Sequence, residues 1–142
     1  MNRIRFTFVA LALVATATHA AAGGIAVIVN PANANARLTA NDVESLFLGK
    51  STAMPNGALA KPVNQISGGK LNEDFYSKVT GKSGAQVKAI WSRLTFSGKA
   101  IPPRELASDE DVKKFVAANP DAIGYVDKST VDASVKVVFS AD

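Results

Sequence analysis

Ser67-Gly68-Gly69-Lys70 is the stretch whose residue types and spacing best fit small-anion chemistry. It stands directly before a predicted helix, and the first N–H groups of a helix have no partner within the helix. Two glycines let the backbone curl around a ligand, while a serine hydroxyl and a lysine ammonium are close by. Together these groups favour phosphate or carboxylate. The same residues also make an ordinary flexible turn with an N-cap, so both interpretations stay open.

Further candidates for anion contact follow a predicted helix that ends before Gly98. Ser97 offers a hydroxyl at the helix exit, and Arg93 and Arg104 flank this turn. A guanidinium can hold an oxyanion with two parallel hydrogen bonds. A surface salt bridge is the alternative use of either arginine. We therefore take Ser97 and Arg104, with the 67–70 turn, as the candidate ligand-binding residues.

Two Gly-Lys-Ser triplets resemble the end of a nucleotide-binding loop, at residues 49–51 and 81–83. That loop needs a further glycine five positions before the Gly-Lys pair. Glu44 and Tyr76 occupy those positions, so the part that would surround the phosphates is missing. Both triplets are instead predicted to be helix-end glycines, and nucleotide hydrolysis is not expected.

Catalytic and metal-ligating side chains are scarce. There is no cysteine, and the single histidine, His19, falls within a predicted signal peptide. The mature chain thus lacks the usual base of a serine triad and the commonest zinc ligand. Acidic residues at 73–74 and 109–111 fall in the first turns of predicted helices, where they stabilise the helix dipole. We predict a protein that is not an enzyme and has no cofactor or metal.

The N-terminal pattern is typical of a secretory signal peptide. Two arginines precede an apolar run over residues 6–17, which is too short to span a bilayer. Small residues follow, and cleavage after Ala20 or Ala22 fits them. We take residues 1–22 as the signal and residues 23–142 as one periplasmic domain with no membrane span after cleavage.

The charge balance argues against a nucleic-acid partner. The whole chain of 142 residues has 16 basic and 12 acidic residues, a formal charge of +4. Two of the basic residues lie in the predicted signal, which leaves 14 and a net charge near +2. Basic and acidic residues of the mature chain are too nearly equal in number for nucleic acid to be the expected partner. A small anionic ligand remains compatible with this balance.

Hydrophobic periodicity predicts the elements that must position these residues. Val87, Ile90, Trp91 and Leu94 form one apolar face of a helix capped by Ser83, with Trp91 at its centre. The rest of the chain is predicted to form strands at 24–30, 59–65, 123–126 and 135–139, and helices opened by Thr39, Lys70 and Ser108. This order predicts an α/β sheet carrying helices.

Five pieces in sequence order resemble the phosphate-binding proteins of ABC importers. The pieces are Ala26–Pro31, Leu38–Lys50, Phe75, Trp91 with Phe96-Ser97-Gly98, and Ala122–Val126. The resemblance covers residues 24–139. It implies a type 2 periplasmic binding protein-like fold, of which this chain has a single three-layer lobe, a mixed sheet flanked by helices.

The chain departs from that family at the binding turn. Family members have a Ser-Gly-Thr turn at a helix start, with an arginine and an aspartate nearby. Here Gly69 stands where the threonine would be, and residues 62–65 offer neither the arginine nor the aspartate. The residues that grip phosphate in the family are therefore only half present.

The resemblance implies a periplasmic solute-binding module that binds a small oxyanion such as phosphate weakly through the 67–70 turn. Its partners would be an ABC importer or another envelope protein, and a homo-oligomer is a further expectation, because one lobe leaves the anion exposed. The alternative is a lobe without ligand that serves as a protein-interaction or sensor-partner domain.

Overall fold

The structure is a computed structural model that describes residues 24–142. The signal peptide predicted at residues 1–22 lies outside the described residues. The regular elements follow in this order: β1 (Ile25–Val29), α1 (Ala40–Phe47), β2 (Lys61–Gln65), α2 (Lys70–Thr80), α3 (Gly84–Phe96), β3 (Arg104–Leu106), α4 (Asp109–Ala118), β4 (Ala122–Asp127), a 3-10 turn (Lys128–Thr130) and β5 (Lys136–Ala141).

The strands form one mixed sheet in the order β3-β2-β4-β1-β5. β2 runs parallel to β3 and β4, whereas β1 is antiparallel to β4 and β5. All five residues of β1 are buried, as the continuous apolar run predicts, because helices cover both faces of the sheet. Alternation along β1 sends Ile25, Val27 and Val29 to one face and Ala26 and Ile28 to the other.

One face of the sheet is covered by α1, α2 and α3. At its centre three aromatic rings meet: Phe75 is stacked on Tyr125 with ring centroids 3.8 Å apart, and Phe47 approaches Phe75 edge-on at 4.8 Å. Trp91 on α3 packs on this cluster, and its indole Nε1 donates to the Phe47 carbonyl at 3.0 Å. Trp91 is buried, which confirms its predicted place in the contact between α3 and the core.

Among the helices of residues 24–142, α4 covers the opposite face. Val112 and Val116 of α4 pack with Val63 against the sheet, and Gly124 leaves room for them. A Cβ atom built on Gly124 would lie 2.7 Å from Val112 Cγ1, closer than real Cβ atoms approach. Because Gly124 has no side chain, α4 can lie close to β4 at this position.

The predicted α/β class and most element positions are confirmed. The structure also confirms the predicted caps: Ser83 and Ser108 accept from Gln86 N and Asp111 N. Gly49 and Gly81 both follow helix ends with positive φ, as expected of helix-end glycines. Strand β3 was not predicted, because it has only three residues, none of them buried, and exists only through its pairing with β2.

Candidate functional site

An open groove of about 930 Å³ lies where the 67–70 turn faces α3. α2 and α3 line it, together with the turn at Ser67 and Gly68 and the segment from Pro102 to Glu105. The walls are largely apolar and include Trp91, although asparagine and carboxylate side chains also reach the groove. The predicted anion-binding turn thus lies at the edge of a mainly apolar groove.

The turn lies at the edge of this groove: Ser67 and Gly68 line it, whereas Lys70 lines a separate concave surface together with Asp74 and Asp127. Gly68 adopts a φ of +82°, which only glycine takes readily, and Gly69 is the N-cap with no side-chain hydrogen bond. Helical pairing starts with Glu73 N, which donates to Gly69 O at 3.0 Å. The N–H groups of the three residues before Glu73 therefore have no partner within the helix and point out of its positive end.

Side chains at the turn already have partners. The Ser67 hydroxyl donates to the Glu105 carboxylate, and Lys70 Nζ pairs with Asp74 Oδ2 at 2.6 Å along α2. The hydrogen bond to Asp74 raises the pKa of Lys70. The Gly69 N–H donates to Ile66 O at 3.1 Å, and the hydroxyl and the ammonium of the turn are held by carboxylates. What the turn offers to an anion is therefore the N–H groups in the first turn of α2.

Glu105 was missed by the sequence analysis. It reaches the groove because side chains alternate along β3, so that Glu105 faces α2 and α3 while its neighbour Arg104 faces the other way. The Arg104 guanidinium lies 5.7 Å from the centre of the Phe115 ring, beside α4. The structure therefore does not bring Arg104 to the Ser67 turn and puts a carboxylate there instead.

Ser97 is also apart from the turn. It is the C-cap of α3, and its hydroxyl donates to the Leu94 carbonyl at 3.1 Å. Its neighbour Phe96 lines the groove, whereas Ser97 does not. Of the six residues predicted from the sequence, the structure places only Ser67 and Gly68 in the wall of the groove.

A buried polar network supports the turn from below. Tyr125 Oη donates to Asn64 Oδ1 at 2.6 Å, Asn64 Nδ2 donates to Tyr76 Oη at 2.8 Å, and Asn72 Nδ2 donates to Tyr125 Oη at 3.0 Å. Burial raises the pKa of Tyr76 to about 12. These bonds tie the end of β2 to the first turn of α2 and so hold the 67–70 turn in place.

The network continues to α4 through Gln65. Its amide Nε2 donates to Asp109 Oδ1 at 2.7 Å, and Asp109 Oδ2 accepts from Asp127 N and Thr130 Oγ1. Asp109, predicted only to stabilise a helix dipole, thus joins the ends of β2 and β4. Asn64 and Gln65 are polar residues at the end of a strand, and that pattern is the one signal by which sequence reasoning could have found the network.

No protein-family model matches the sequence, and no curated protein matches it. Solved structures do. One is described as a phosphate ABC transporter substrate-binding protein from Clostridium perfringens with bound phosphate. It is 25% identical to this chain, with a TM-score of 0.66, and the match covers 82% of this chain and 44% of that protein. An ABC-type phosphate transport receptor from Vibrio cholerae is 21% identical to this chain, with a TM-score of 0.65. That match covers 82% of this chain and 45% of the receptor.

The chain has the fold of the phosphate-importer binding proteins. The resemblance seen in the sequence is thereby confirmed at the level of the fold. The chain spans less than half the length of these solved structures, which fits the single lobe predicted for it. The matched proteins are substrate-binding proteins, which are not enzymes, in agreement with the predicted non-enzymatic class. No helix among residues 24–142 is long and apolar enough to cross a membrane.

Proposed function

We propose that this chain is a solute-binding lobe that takes a small oxyanion such as phosphate at the 67–70 turn. The observation that carries the proposal is the start of α2, which has Gly69 as its N-cap without a side-chain bond and follows Ser67 and Gly68 in the groove wall. A helix start of this kind offers N–H donors and a positive partial charge to an anion. The likeness to a structure that holds phosphate supports the same ligand class.

The affinity should be low. The groove is open to water on one side, so water competes for every hydrogen bond, and the Glu105 carboxylate repels an anion at Ser67. We expect a dissociation constant between about 1 mM and 1 μM, equivalent to a binding free energy of roughly 4–8 kcal/mol. Ser97 and Arg104 lie apart from the turn, so this proposal rests on Ser67 to Lys70.

The biological setting belongs to the same proposal. Residues 1–22 would direct export and be removed, and residues 23–142 would work in the periplasm with an ABC importer or another envelope protein. N-terminal sequencing of the exported protein tests the first part, with Gly23 as the expected first residue.

Calorimetry of the exported protein tests the ligand, with phosphate as probe and sulfate as comparison at low salt and neutral pH. Gly69→Asp should lower phosphate affinity at least tenfold, because a carboxylate at the N-cap takes the N–H groups that the anion needs. Gly69→Ala is the matched control, since it adds the same Cβ atom, 3.1 Å from Ile66 O, without a charge. Equal phosphate heats for the two variants would refute the site.

Glu105→Gln gives a second arm of the same experiment. It removes the negative charge beside Ser67 and leaves a side chain of similar size. Phosphate should then bind several-fold more tightly, because the like-charge repulsion is gone. Unchanged or weaker phosphate binding would mean that the anion does not bind near Ser67.

The alternative is a protein-interaction or sensor-partner domain without a small ligand. Two observations favour it: the Ser67 and Lys70 side chains are already paired with carboxylates, and Phe96 at the groove is 97% exposed. Absence of phosphate heat up to several millimolar, in the native protein and in Glu105→Gln alike, would support this alternative over the solute-binding lobe.

A further inference from the structure

Two cationic side chains gather around one aromatic ring on the α4 side of the sheet. Lys61 Nζ and the central carbon of the Arg104 guanidinium each lie 5.7 Å from the centre of the Phe115 ring. Strand register explains this placement. Arg104 pairs with Val63, and Lys61 lies two residues before Val63, so the three side chains share one face of the sheet. We call Lys61, Arg104 and Phe115 the basic patch.

The two cations of the basic patch have no carboxylate partner. Within residues 24–142, neither Lys61 nor Arg104 is part of an ion pair. Glu105 follows Arg104 directly, but its side chain faces the groove on the other side of the sheet, where it accepts from Ser67. Two like charges beside one ring repel each other, so a negatively charged partner would be attracted to both.

Phe115 gives the patch a fixed base. It is partly buried and packs against the cluster that contains Val112 and Val116, whereas Lys61 and Arg104 are exposed. Contact with the ring restricts both long side chains, so less freedom is lost when they bind a partner. A guanidinium held in this way can bind a carboxylate through two parallel hydrogen bonds.

The patch lies beside an open strand edge. β3 is the outermost strand of the sheet and pairs with β2 only. Among the described residues, no backbone hydrogen bond reaches the outer side of β3. Such an edge has unpaired N–H and C=O groups, to which an extended peptide can bond as an added strand. Backbone groups of this kind favour a peptide over a lipid surface as the source of the negative charge.

We infer that the basic patch docks an extended acidic segment of a protein partner. The segment lies along β3, and its carboxylates contact Arg104 and Lys61 on the α4 side. Because side chains alternate along a strand, acidic residues are expected at every second position of the segment. Glu105 faces the other way and disfavours acidic residues at the positions between them. The inference goes beyond the proposed function, because the patch and the groove lie on opposite faces of the sheet.

Fluorescence anisotropy with a labelled hexapeptide, in which glutamate alternates with threonine, tests the inference on the exported protein. We expect saturable binding that weakens as salt rises from about 50 mM to about 500 mM, because salt screens exposed charges. The dissociation constant should rise at least about fivefold in the double variant Lys61→Gln/Arg104→Gln. Arg93→Gln/Lys99→Gln is the matched control, since it removes the same two kinds of exposed charge in and just after α3 and should bind like the native protein.

Amide NMR of the native protein locates the peptide without relying on a variant. The resonances of residues 104–106 should shift as the peptide is added. Shifts confined to the 67–70 turn, or equal weakening of binding in the two double variants, would overturn the inference. Phosphatidylglycerol vesicles test a lipid surface in place of the peptide, and binding to the vesicles but not to the peptide would overturn it as well.

Failure of this inference can be told apart from failure of the proposed function. Lys61→Gln/Arg104→Gln should keep the native heat of phosphate binding, because the patch lies across the sheet from the groove. Phosphate heat in a protein that does not bind the peptide would refute the docking patch and leave the anion site standing. Patch-dependent peptide binding without phosphate heat would do the reverse.

Discussion

Gly49→Ala should be one of the most damaging single-methyl changes in this chain. Gly49 follows α1 with a φ of +72°, a region that residues with a Cβ atom rarely adopt. A Cβ atom built there would lie 2.7 Å from Leu94 Cδ1 and 3.0 Å from Trp91 Cη2. The substitution therefore strains the backbone and pushes α3 away from the end of α1.

The two effects can be separated because Gly81 provides a matched control. It follows α2 with a φ of +68°, yet a Cβ atom built on it has nothing within 4 Å. The left-handed backbone alone costs roughly 1–2 kcal/mol, which is what we expect for Gly81→Ala. Overpacking a tight contact adds about 1–3 kcal/mol, so Gly49→Ala should lose about 2–5 kcal/mol.

Urea unfolding followed by far-UV circular dichroism measures both losses in the same way. With a slope of about 1–3 kcal/mol per molar urea, a difference of 2 kcal/mol between the variants moves the midpoint by about 1 M. Equal losses for Gly49→Ala and Gly81→Ala would refute the reasoning, since they would mean that α3 adjusts freely and that its contact with α1 is loose. A larger loss for Gly81→Ala would refute it as well.

Three further predictions concern the core. Gly124→Ala should cost about 1–3 kcal/mol, measured by thermal unfolding, because its Cβ would lie 2.7 Å from Val112 Cγ1; an unchanged melting temperature would mean that α4 shifts at no cost. Burial raises the pKa of Tyr76 to about 12 and raises that of Tyr125 as well, so stability should be constant below pH 10, the unfolded pKa, and fall as pH rises towards 12. At pH 12, Tyr76 alone should lower the free energy of unfolding by about 3 kcal/mol. Tyrosinate absorbance that appears near pH 10 in the folded protein would contradict this prediction. Trp91→Phe should cost about 1–3 kcal/mol in urea unfolding, because it leaves the carbonyl at the end of α1 without its indole donor; a loss well under 1 kcal/mol would show that the bond contributes little.

Local patterns in the sequence sufficed for most of the architecture. Ser83 and Ser108 have the residue type and position of N-caps, and both act as caps in the structure. The apolar run in β1 is buried on both faces, as expected of an inner strand. These predictions succeed because helix caps and hydrophobic periodicity depend on residues within a few positions of one another.

The 67–70 turn shows where local reasoning ends. The 67–70 turn and its glycines were recognisable from four consecutive residues, because the start of α2 is a local feature. Nothing near the turn in the sequence predicts that Glu105 contacts it. The Glu105 carboxylate accepts a hydrogen bond from the Ser67 hydroxyl, and the two residues are 38 positions apart in the chain. The Asn64–Tyr125 hydrogen bond joins residues still further apart, 61 positions along the chain.

The sequence by itself determined the helices, the inner strands and the glycine-containing turn before α2, since each depends on short-range pattern. Only the tertiary structure decided which side chains share the groove. Pairing of β2 with β3 puts Glu105 next to Asn64, and the two-residue alternation of a strand turns Glu105 into the groove and Arg104 out of it. A shift of one residue in that pairing would exchange a carboxylate for a guanidinium at Ser67, which is why register between distant strands, and not composition, decides the charge of this site.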